Sequence, residues 1–236
     1  MINPPQLSDA MEYQCQVNLN LYDSPTCERL ATQAAVGRFL RITGSLTDPG
    51  ALSVCLCEDN YPGWLRREDV TNLVPAPQTY HPPIISVTEI KQRLPNVIAF
   101  TQAAMVTPNV YLWGGTVAPN YDCSGLMQAA FQSVGIWLPR DAYQQEAFTQ
   151  PINPEQLEPG DLVFFGTPQK ATHVGLYLGD QRYIHSSGKD QGRNGIAIDI
   201  LSSEGDRVSQ TYYQQFRGAG RVTQSYCPQG TTPDQF

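Results

Sequence analysis

The sequence predicts an α+β protein of two domains, a small β-barrel followed by a larger domain with an antiparallel sheet. Three observations indicate this. Short apolar runs separated by turn residues fill residues 12–74. Residues 74–83 then hold four prolines in ten positions, which is typical of a stiff, extended linker. Beyond the linker, helix patterns precede a series of strand patterns, the order found in α+β domains.

The first domain is predicted from short apolar segments with turn signals between them. The apolar segments are residues 13–17, 35–42, 52–57 and 63–66. The turns between them are predicted at residues 23–25, 47–50 and 60–63. We place this domain at residues 8–75 and the linker at 76–85.

The second domain is predicted at residues 86–223, with a flexible tail at 224–236. A first helix is expected to start at Pro95 and continue to Met105, and a second to run from Cys123 to Val134, ended by Gly135. Strands are predicted at residues 161–165, 173–178, 182–185 and 196–201, with a hairpin turn at Gly179-Asp180, a late helix at 206–216 and a closing strand at 218–222. No internal repeat is evident.

Composition excludes several partners. The chain has 236 residues, 41% of them apolar and 16% charged, with a net charge of −7. An acidic chain is a poor match for nucleic acid or an anionic membrane surface. The N-terminus lacks a secretory pattern, and no apolar run reaches the roughly 18 to 20 residues that span a bilayer. We therefore expect a cytoplasmic monomer without cofactor or metal, although a chain trimmed of its signal would look the same.

Six cysteines occur, at positions 15, 27, 55, 57, 123 and 227. Cys55 and Cys57 lack the spacing of a zinc site, and alternation along a strand favours two buried thiols on one face. The sequence leaves open whether Cys15 and Cys27 pair in a disulfide.

Cys123 differs from the other cysteines in its surroundings. It follows a loop rich in glycine and proline and precedes the helix-forming segment 126–131, so its sulfur is predicted at a helix N-terminus. The helix dipole and a nearby histidine can lower a cysteine pKa from about 8.5 into the range of roughly 3.5 to 7.5. Cys123 is thus a candidate nucleophile, with a buried core thiol as the alternative.

Two of the three histidines lie on neighbouring predicted strands. His173 opens one strand and His185 ends the next, whereas His81 lies in the linker. Two histidines at nearby strand positions are consistent with a catalytic pair, with a metal-binding pair or with chance. A protein zinc site uses at least three ligands, and no pattern in the sequence supplies them.

Four segments together resemble the NlpC family of papain-like cysteine peptidases. They are Tyr111-Leu-Trp-Gly-Gly115, Asp122-Cys-Ser-Gly125, residues 160–165 and residues 173–179. Their order and spacing match over all of residues 86–222. The N-terminal region resembles bacterial SH3-like domains, partly through residues 59–64. The two-domain layout is similar to γ-D-glutamyl-L-diamino acid endopeptidases of cyanobacterial type.

The resemblance implies a role for each catalytic residue. Cys123 would be the nucleophile, His173 its base, and His185 the polar residue that orients the base. The Tyr111 hydroxyl and the Cys123 backbone N–H would stabilise the oxyanion. The alternatives are a strand-end histidine bonded to backbone for His185, and a core tyrosine packed beside Trp113 for Tyr111.

Substrate contacts are also implied by the resemblance. Asp122 is the first candidate partner for a free N-terminal amine, with helix capping as the alternative. In similar proteins an SH3-domain loop closes one end of the cleft and restricts substrates to short peptides. The further candidates are Ser124, Arg140, Asp141, Glu58, Asp59 and Tyr61. For Arg140 and Asp141 a salt bridge at a helix start is the alternative.

The resemblance therefore predicts an endopeptidase that hydrolyses the γ-D-glutamyl–diamino acid bond of murein stem peptides. Short peptides with a free N-terminal L-alanine are the expected substrates, as in peptidoglycan recycling. The alternatives are an amidase or acyltransferase that uses the same residues, and a non-catalytic module that binds wall peptides.

Overall fold

A computed structural model describes residues 7–47 and 50–228 of the chain. These residues divide into two compact units. The N-terminal unit contains the described residues up to Pro82, the segment Trp113–Val117 and the described residues from Cys227 onward. The C-terminal unit contains Pro83–Leu112 and Ala118–Tyr226.

The N-terminal unit contains a seven-stranded sheet with antiparallel pairing throughout. Its strands are β1 (Glu12–Cys15), β2 (Leu19–Tyr22), β3 (Leu30–Ala34), β4 (Phe39–Ile42), β5 (Ala51–Leu56), β6 (Pro62–Arg66) and β7 (Leu73–Pro75). They lie in the order β3-β2-β6-β5-β4-β1-β7. Alternating side chains point to one core, whose fully buried members include Tyr13, Leu21, Leu40 and Leu65. The predicted all-β character of this region is confirmed.

One later segment also belongs to this unit. The short strand β8 (Thr116–Val117) lies next to β3, where the Thr116 backbone N–H donates to the side-chain oxygen of Gln33 over 3.1 Å. The Thr116 hydroxyl donates to the Gln33 carbonyl over 2.9 Å.

The C-terminal unit contains four α-helices, a six-stranded antiparallel sheet and the short strand β9 (Asn120–Tyr121), which lies outside that sheet. The helices are α1 (Val87–Val106), α2 (Cys123–Gln132), α3 (Ala142–Phe148) and α4 (Arg207–Gln214). The strands are β9 (Asn120–Tyr121), β10 (Gln150–Ile152), β11 (Leu162–Gly166), β12 (Ala171–Gly179), β13 (Arg182–Ser187), β14 (Gly195–Ile200) and β15 (Phe216–Arg221). The sheet order is β10-β15-β11-β12-β13-β14. The α+β class is confirmed, and the predicted strands agree with the observed ones to within two residues.

Helix α1 starts earlier than predicted. Its N-cap is Ser86, which forms a capping box with Glu89, and Pro95 lies inside the helix. A proline within a helix removes one N–H donor. In an uninterrupted helix that N–H would donate to the carbonyl of Lys91, a residue that is exposed to solvent. The capping signal at Ser86 therefore determines the helix start, and the prediction of a start at Pro95 is wrong.

Helix α2 places the candidate nucleophile against the sheet. It ends at Gln132, two residues before the predicted end at Val134, and the predicted stop Gly135 has a φ of +79°. Nine of its ten residues are buried. A helix that is buried all round lies in the domain core, and Leu126 and Phe131 of α2 share one apolar cluster with Val174 and Leu176 of β12. This packing fixes the start of α2 beside strand β12.

The predicted tail lies partly outside the described residues, which end at 228. Its first part packs against the C-terminal unit. The Ser225 hydroxyl accepts from the Trp137 backbone N–H, and the Tyr226 ring meets the Phe148 ring edge-on at 5.4 Å between centroids.

All six cysteines are free thiols, so Cys15 and Cys27 are not paired. Cys55 and Cys57 are both buried, as their spacing indicates. Within residues 7–47 and 50–228, no helix has the length and apolar character that crossing a membrane requires.

Candidate active site

The start of α2 carries the candidate nucleophile. Asp122 is the N-cap, and its Oδ1 accepts from the Gly125 backbone N–H over 2.7 Å. Cys123 is the first helical residue and is 6% exposed. Its sulfur receives hydrogen bonds from the backbone N–H groups of Ser124 and Val174. Because Val174 follows His173 in β12, the sulfur lies beside the strand segment that carries the candidate base.

The Cys123 thiol differs from the predicted thiolate. Burial, followed by the negative charge of Asp122, raises its pKa to about 12. The N–H groups of Val174 and Ser124 and the charge of Arg140 act in the opposite direction but do not outweigh burial. The expectation of a lowered pKa is wrong because it considered the helix terminus without the loss of water around the sulfur. The candidate nucleophile is therefore a neutral thiol at rest, and attack by its sulfur would need a base.

Strand pairing brings the two histidines together. In the β12–β13 ladder Leu176 faces Ile184, which places Gly175 beside His185. A Cβ at Gly175 would lie 2.7 Å from the Tyr183 ring and 3.3 Å from Cβ of His185. The glycine therefore leaves room for the Tyr183 ring next to the His185 side chain. Nδ1 of His185 lies 2.6 Å from Nε2 of His173.

Both rings are enclosed. His173 is 8% exposed and His185 is fully buried. The His173 ring stacks on Tyr212 of α4 with 4.4 Å between centroids and 27° between planes, and the Tyr212 hydroxyl lies 2.8 Å from the Ser187 hydroxyl. These contacts fix the orientation of the candidate base.

Both histidines are neutral in this environment. Burial, followed by the charge of His185, lowers the pKa of His173 well below its usual value, and Asp199 opposes this only in part. Burial also lowers the pKa of His185, although the hydrogen bond and charge of Asp199 act to raise it. A neutral imidazole can accept a proton, as a general base must.

His185 has a second partner on strand β14. Its Nε2 lies 2.8 Å from Oδ2 of Asp199, a residue that is 2% exposed. In the β13–β14 ladder Tyr183 faces Asp199 and His185 faces Ala197, so the carboxylate reaches His185 diagonally across one face. Asp199 is also bound by Arg193 and by the Ser209 hydroxyl.

Tyr111 lies close enough to the nucleophile for their charges to interact. Burial, followed by the charges of Cys123 and Asp122, raises the pKa of its hydroxyl. The hydroxyl therefore stays protonated and can donate a hydrogen bond. Trp113 is 64% exposed, so it is not the core partner that the alternative interpretation of Tyr111 requires.

Three predicted substrate contacts form one buried group around the start of α2. Arg140 donates from its two terminal nitrogens to Oδ1 and Oδ2 of Asp122 over 3.1 and 2.6 Å. It also donates to the Ser124 hydroxyl over 3.0 Å. Asp141 instead caps α3 in a capping box with Gln144. Arg140 thus pairs with Asp122.

The remaining predicted contacts lie in the N-terminal unit, after β5. Arg38 donates to Oε2 of Glu58 over 3.2 Å and lies 3.0 Å from Oδ2 of Asp59. The backbone N–H of Tyr61 donates to Asp59 over 3.2 Å. The Glu58 side chain is 2% exposed and that of Asp59 is fully buried. Their roles toward a substrate stay predictions.

The described residues contain no group of three or more His, Cys, Asp or Glu side chains placed to hold a metal ion.

Family models match both units. The model described as the NlpC/P60 family matches residues 108–218, which include Tyr111, Cys123, His173 and His185. This segment is an NlpC/P60 domain. A model described as a bacterial dipeptidyl-peptidase SH3 domain matches residues 21–70. The predicted family and fold class are therefore confirmed.

Curated relatives match through the NlpC/P60 domain. The chain is 36% identical over 110 residues to a γ-DL-glutamyl hydrolase of Bacillus subtilis, an alignment covering 45% of this chain and 26% of that protein. It is 38% identical over 108 residues to a probable endopeptidase NlpC homologue of Haemophilus influenzae, covering 45% and 54%. It is 43% identical over 81 residues to a bifunctional muramidase/DL-endopeptidase of Bacillus subtilis, covering 33% and 25%. The chain thus spans about half or less of the length of these relatives.

Sequence reasoning missed Asp199 in the NlpC/P60 domain. A signal was available, because Asp199 is the charged residue in the otherwise apolar run Ile196–Ile200. Charged side chains are rarely buried without a partner, so an aspartate in a core strand indicates a specific partner. The identity of that partner depends on strand register, which the sequence did not determine.

Proposed function

We propose that the NlpC/P60 domain is a cysteine endopeptidase that hydrolyses the bond between γ-D-glutamate and a diamino acid in murein stem peptides. The observation that carries the proposal is the position of Cys123. Its sulfur is bonded to the backbone of Val174, adjacent to His173, and His173 is held by His185 over 2.6 Å. A nucleophile, a base and an orienting group are the elements of acyl transfer through a covalent intermediate.

In the proposed acylation step, neutral His173 takes the thiol proton as the sulfur attacks the γ-carbonyl of D-glutamate. The raised pKa of Cys123 makes this transfer necessary. Negative charge develops on the carbonyl oxygen, where the Cys123 backbone N–H and the protonated Tyr111 hydroxyl are the proposed donors. The tetrahedral intermediate then collapses. The C–N bond breaks, and the protonated His173 gives its proton to the departing amine.

Deacylation uses the same base. His173, neutral again, takes a proton from water as the water oxygen attacks the thioester carbonyl. The C–S bond breaks, and the proton returns to the sulfur. The peptide fragment leaves with a free γ-carboxylate, and the neutral thiol is restored.

Substrate selection is proposed to depend on a free N-terminal amine. Asp122 is the proposed partner of this ammonium group in the NlpC/P60 domain, and Arg140 holds its carboxylate in a fixed position. Ser124, Arg140 and Asp141 are proposed to contact the rest of the peptide. Selection of short peptides with L-alanine at the N-terminus would suit recycling in the cytoplasm, which we propose as the setting.

The proposal is tested with a synthetic peptide, L-Ala-γ-D-Glu followed by a diamino acid. Wild-type protein should release the diamino acid, and Cys123→Ala should reduce the rate by at least about 10³-fold while still binding the peptide. Cys227→Ala is the control, because it removes another free thiol that is only partly buried. Its rate should equal that of wild type. Unchanged turnover by Cys123→Ala would contradict the proposal.

The alternatives give different products. An acyltransferase would place an added amine on the γ-carboxyl group, whereas an endopeptidase places water there. Reaction in H₂¹⁸O with a competing amine therefore distinguishes the two. A binding module would leave the peptide intact with either protein.

A further inference from the structure

We infer that Asp199 is a positioning residue that sets the tautomers of both His185 and His173, leaving Nδ1 of His173 as the atom that accepts the proton from Cys123. The inference rests on the proposed role of His173 as the base. Neither family resemblance nor sequence pattern assigned Asp199 a role.

The geometry is a chain of single contacts through buried groups. Oδ2 of Asp199 lies 2.8 Å from Nε2 of His185, and Nδ1 of His185 lies 2.6 Å from Nε2 of His173. Both nitrogens of the His185 ring are therefore occupied by one partner each. The ring is closed off from bulk solvent, since His185 is fully buried.

The ionisation of Asp199 fixes the direction of these bonds. Burial acts to raise the pKa of Asp199, but the hydrogen bonds from His185 and Arg193 and their charges outweigh it and lower the pKa. An ionised carboxylate only accepts hydrogen bonds, so Nε2 of His185 carries the proton. Because the ring is neutral, Nδ1 of His185 is an acceptor. Nε2 of His173 must then be the donor, and the second nitrogen of that neutral ring, Nδ1, is free of a proton.

We call this series of hydrogen bonds, from Asp199 through His185 to His173, the relay. Arg193 and Ser209 hold Asp199 in the orientation that the relay needs. Arg193 binds both carboxylate oxygens, with Nε 3.2 Å from Oδ2, and the Ser209 hydroxyl donates to Oδ1 over 3.2 Å. Arg193 also neutralises the carboxylate. Burial, with the charge of Arg193 acting in the same direction, keeps the pKa of His185 lowered although the Asp199 carboxylate beside the ring acts to raise it.

A purely structural role is the competing interpretation, because Asp199 also links β14 to the start of α4 through Ser209. The two interpretations differ in one observable. A structural role changes stability and leaves the histidine tautomers as they are. A tautomer-setting role predicts that removing the negative charge reverses the donors and acceptors on both rings.

The variant Asp199→Asn makes this test with almost no change of shape. Apart from His185, two donors, from Arg193 and Ser209, face the position of Oδ1, and one donor, Nε of Arg193, faces Oδ2, so we expect the amide oxygen to occupy the Oδ1 position. The amide NH₂ then faces Nε2 of His185 and forces it to accept. His185 must donate from Nδ1, Nε2 of His173 must accept, and the His173 proton moves to Nδ1, where it blocks the base.

The experiment is ¹⁵N NMR of the histidine rings in the full chain at neutral pH, combined with kinetics. Wild type should show protonated Nε2 on both His173 and His185, and Asp199→Asn should show protonated Nδ1 on both. We expect kcat/KM of Asp199→Asn to fall by about 10²- to 10⁴-fold, mostly in kcat. Asp206→Asn is the matched control, because it removes the other carboxylate bound by Arg193 and keeps a helix-capping side chain. It should change kcat/KM by less than about threefold and leave the tautomers unchanged.

Two results would overturn the inference. One is a protonated Nδ1 on either ring of wild type, which decides the matter even if Asp199→Asn does not fold. The other is a folded Asp199→Asn protein with wild-type tautomers. If no peptide is cleaved, the proposed function fails, but the tautomers and the rate of Cys123 alkylation by iodoacetamide still test the relay. Alkylation should slow by about tenfold or more in Asp199→Asn if the relay is present.

Discussion

Two groups among the described residues, each formed by one arginine and two carboxylates, differ in the exposure of the second carboxylate. In the Arg38 cluster, formed by Arg38, Glu58 and Asp59, all three side chains are at most 2% exposed. In the Arg193 cluster, formed by Arg193, Asp199 and Asp206, the Asp206 side chain is 54% exposed. The buried part of the Arg193 cluster is therefore a neutral pair, whereas both carboxylates of the Arg38 cluster are shielded from water.

The pKa values follow this difference. Burial raises the pKa of Glu58, and although Arg38 and the Phe39 backbone N–H oppose the rise, Asp59 adds to it. The pKa of Asp206 is lowered, by hydrogen bonds from the Ser209 backbone and from Arg193. The comparison indicates that a neutral buried pair suits the orientation of a base.

The largest expected effect comes from removing each arginine. Arg38→Gln leaves two buried carboxylates without their cation, which should cost about 3–5 kcal/mol of stability. Arg193→Gln should cost only about 1–2 kcal/mol, because Asp199 keeps its contacts with His185 and Ser209 and the exposed pair with Asp206 contributes little. Scanning calorimetry of both variants measures the difference. Equal losses would show that the exposure of the second carboxylate does not distinguish the clusters.

The pH dependence of stability tests the neutral state of the histidines. The folded-state pKa values of His173 and His185 are lowered, so below about pH 6.5 the unfolded chain takes up protons that the folded chain does not. Stability that is present above pH 6.5 is lost as the pH falls, by about 2 kcal/mol between pH 7 and 5.5. Urea unfolding at the two pH values measures this loss. His173→Gln should lose about half of the dependence, and a protein that gains stability on acidification would contradict the assignment.

The smallest expected effect concerns the amine. Asp122→Asn should raise KM for the free-amine peptide by about tenfold more than KM for an N-acetylated peptide, because it removes about 1.4 kcal/mol of charge attraction to the proposed amine. Asparagine keeps a helix-capping side chain at this position. Asp206→Asn again serves as the control, with both KM values unchanged. Equal effects of Asp122→Asn on the two peptides would refute amine recognition by Asp122.

The fold could be predicted from the sequence, and so could the candidate site residues Cys123, His173 and His185. Alternating apolar runs predicted the strands, and the local pattern around Cys123 predicted a helix start, because both depend on neighbours in the chain. Asp199 and Arg193 were not predicted, since their contact with His185 depends on the register between β13 and β14. The pKa of Cys123 was predicted in the wrong direction because burial of the sulfur arises from tertiary packing.

The start of α1 shows how local signals compete. Pro95 favours the first position of a helix, but Ser86 and Glu89 form a complete capping box, and the helix begins at Val87, eight residues before Pro95. A capping box satisfies two N–H donors at once, whereas a proline inside the helix leaves one exposed carbonyl to water. The capping box of Ser86 and Glu89 is therefore the stronger local signal, and Pro95 is the weaker one.

Mass spectrometry of a purified muropeptide mixture after incubation with the protein tests the central claim most directly. The account predicts that stem peptides with a free N-terminal L-alanine are cut between γ-D-glutamate and the diamino acid, and that Cys123→Ala leaves the mixture intact. Cleavage at another bond, or the same products from Cys123→Ala, would contradict it.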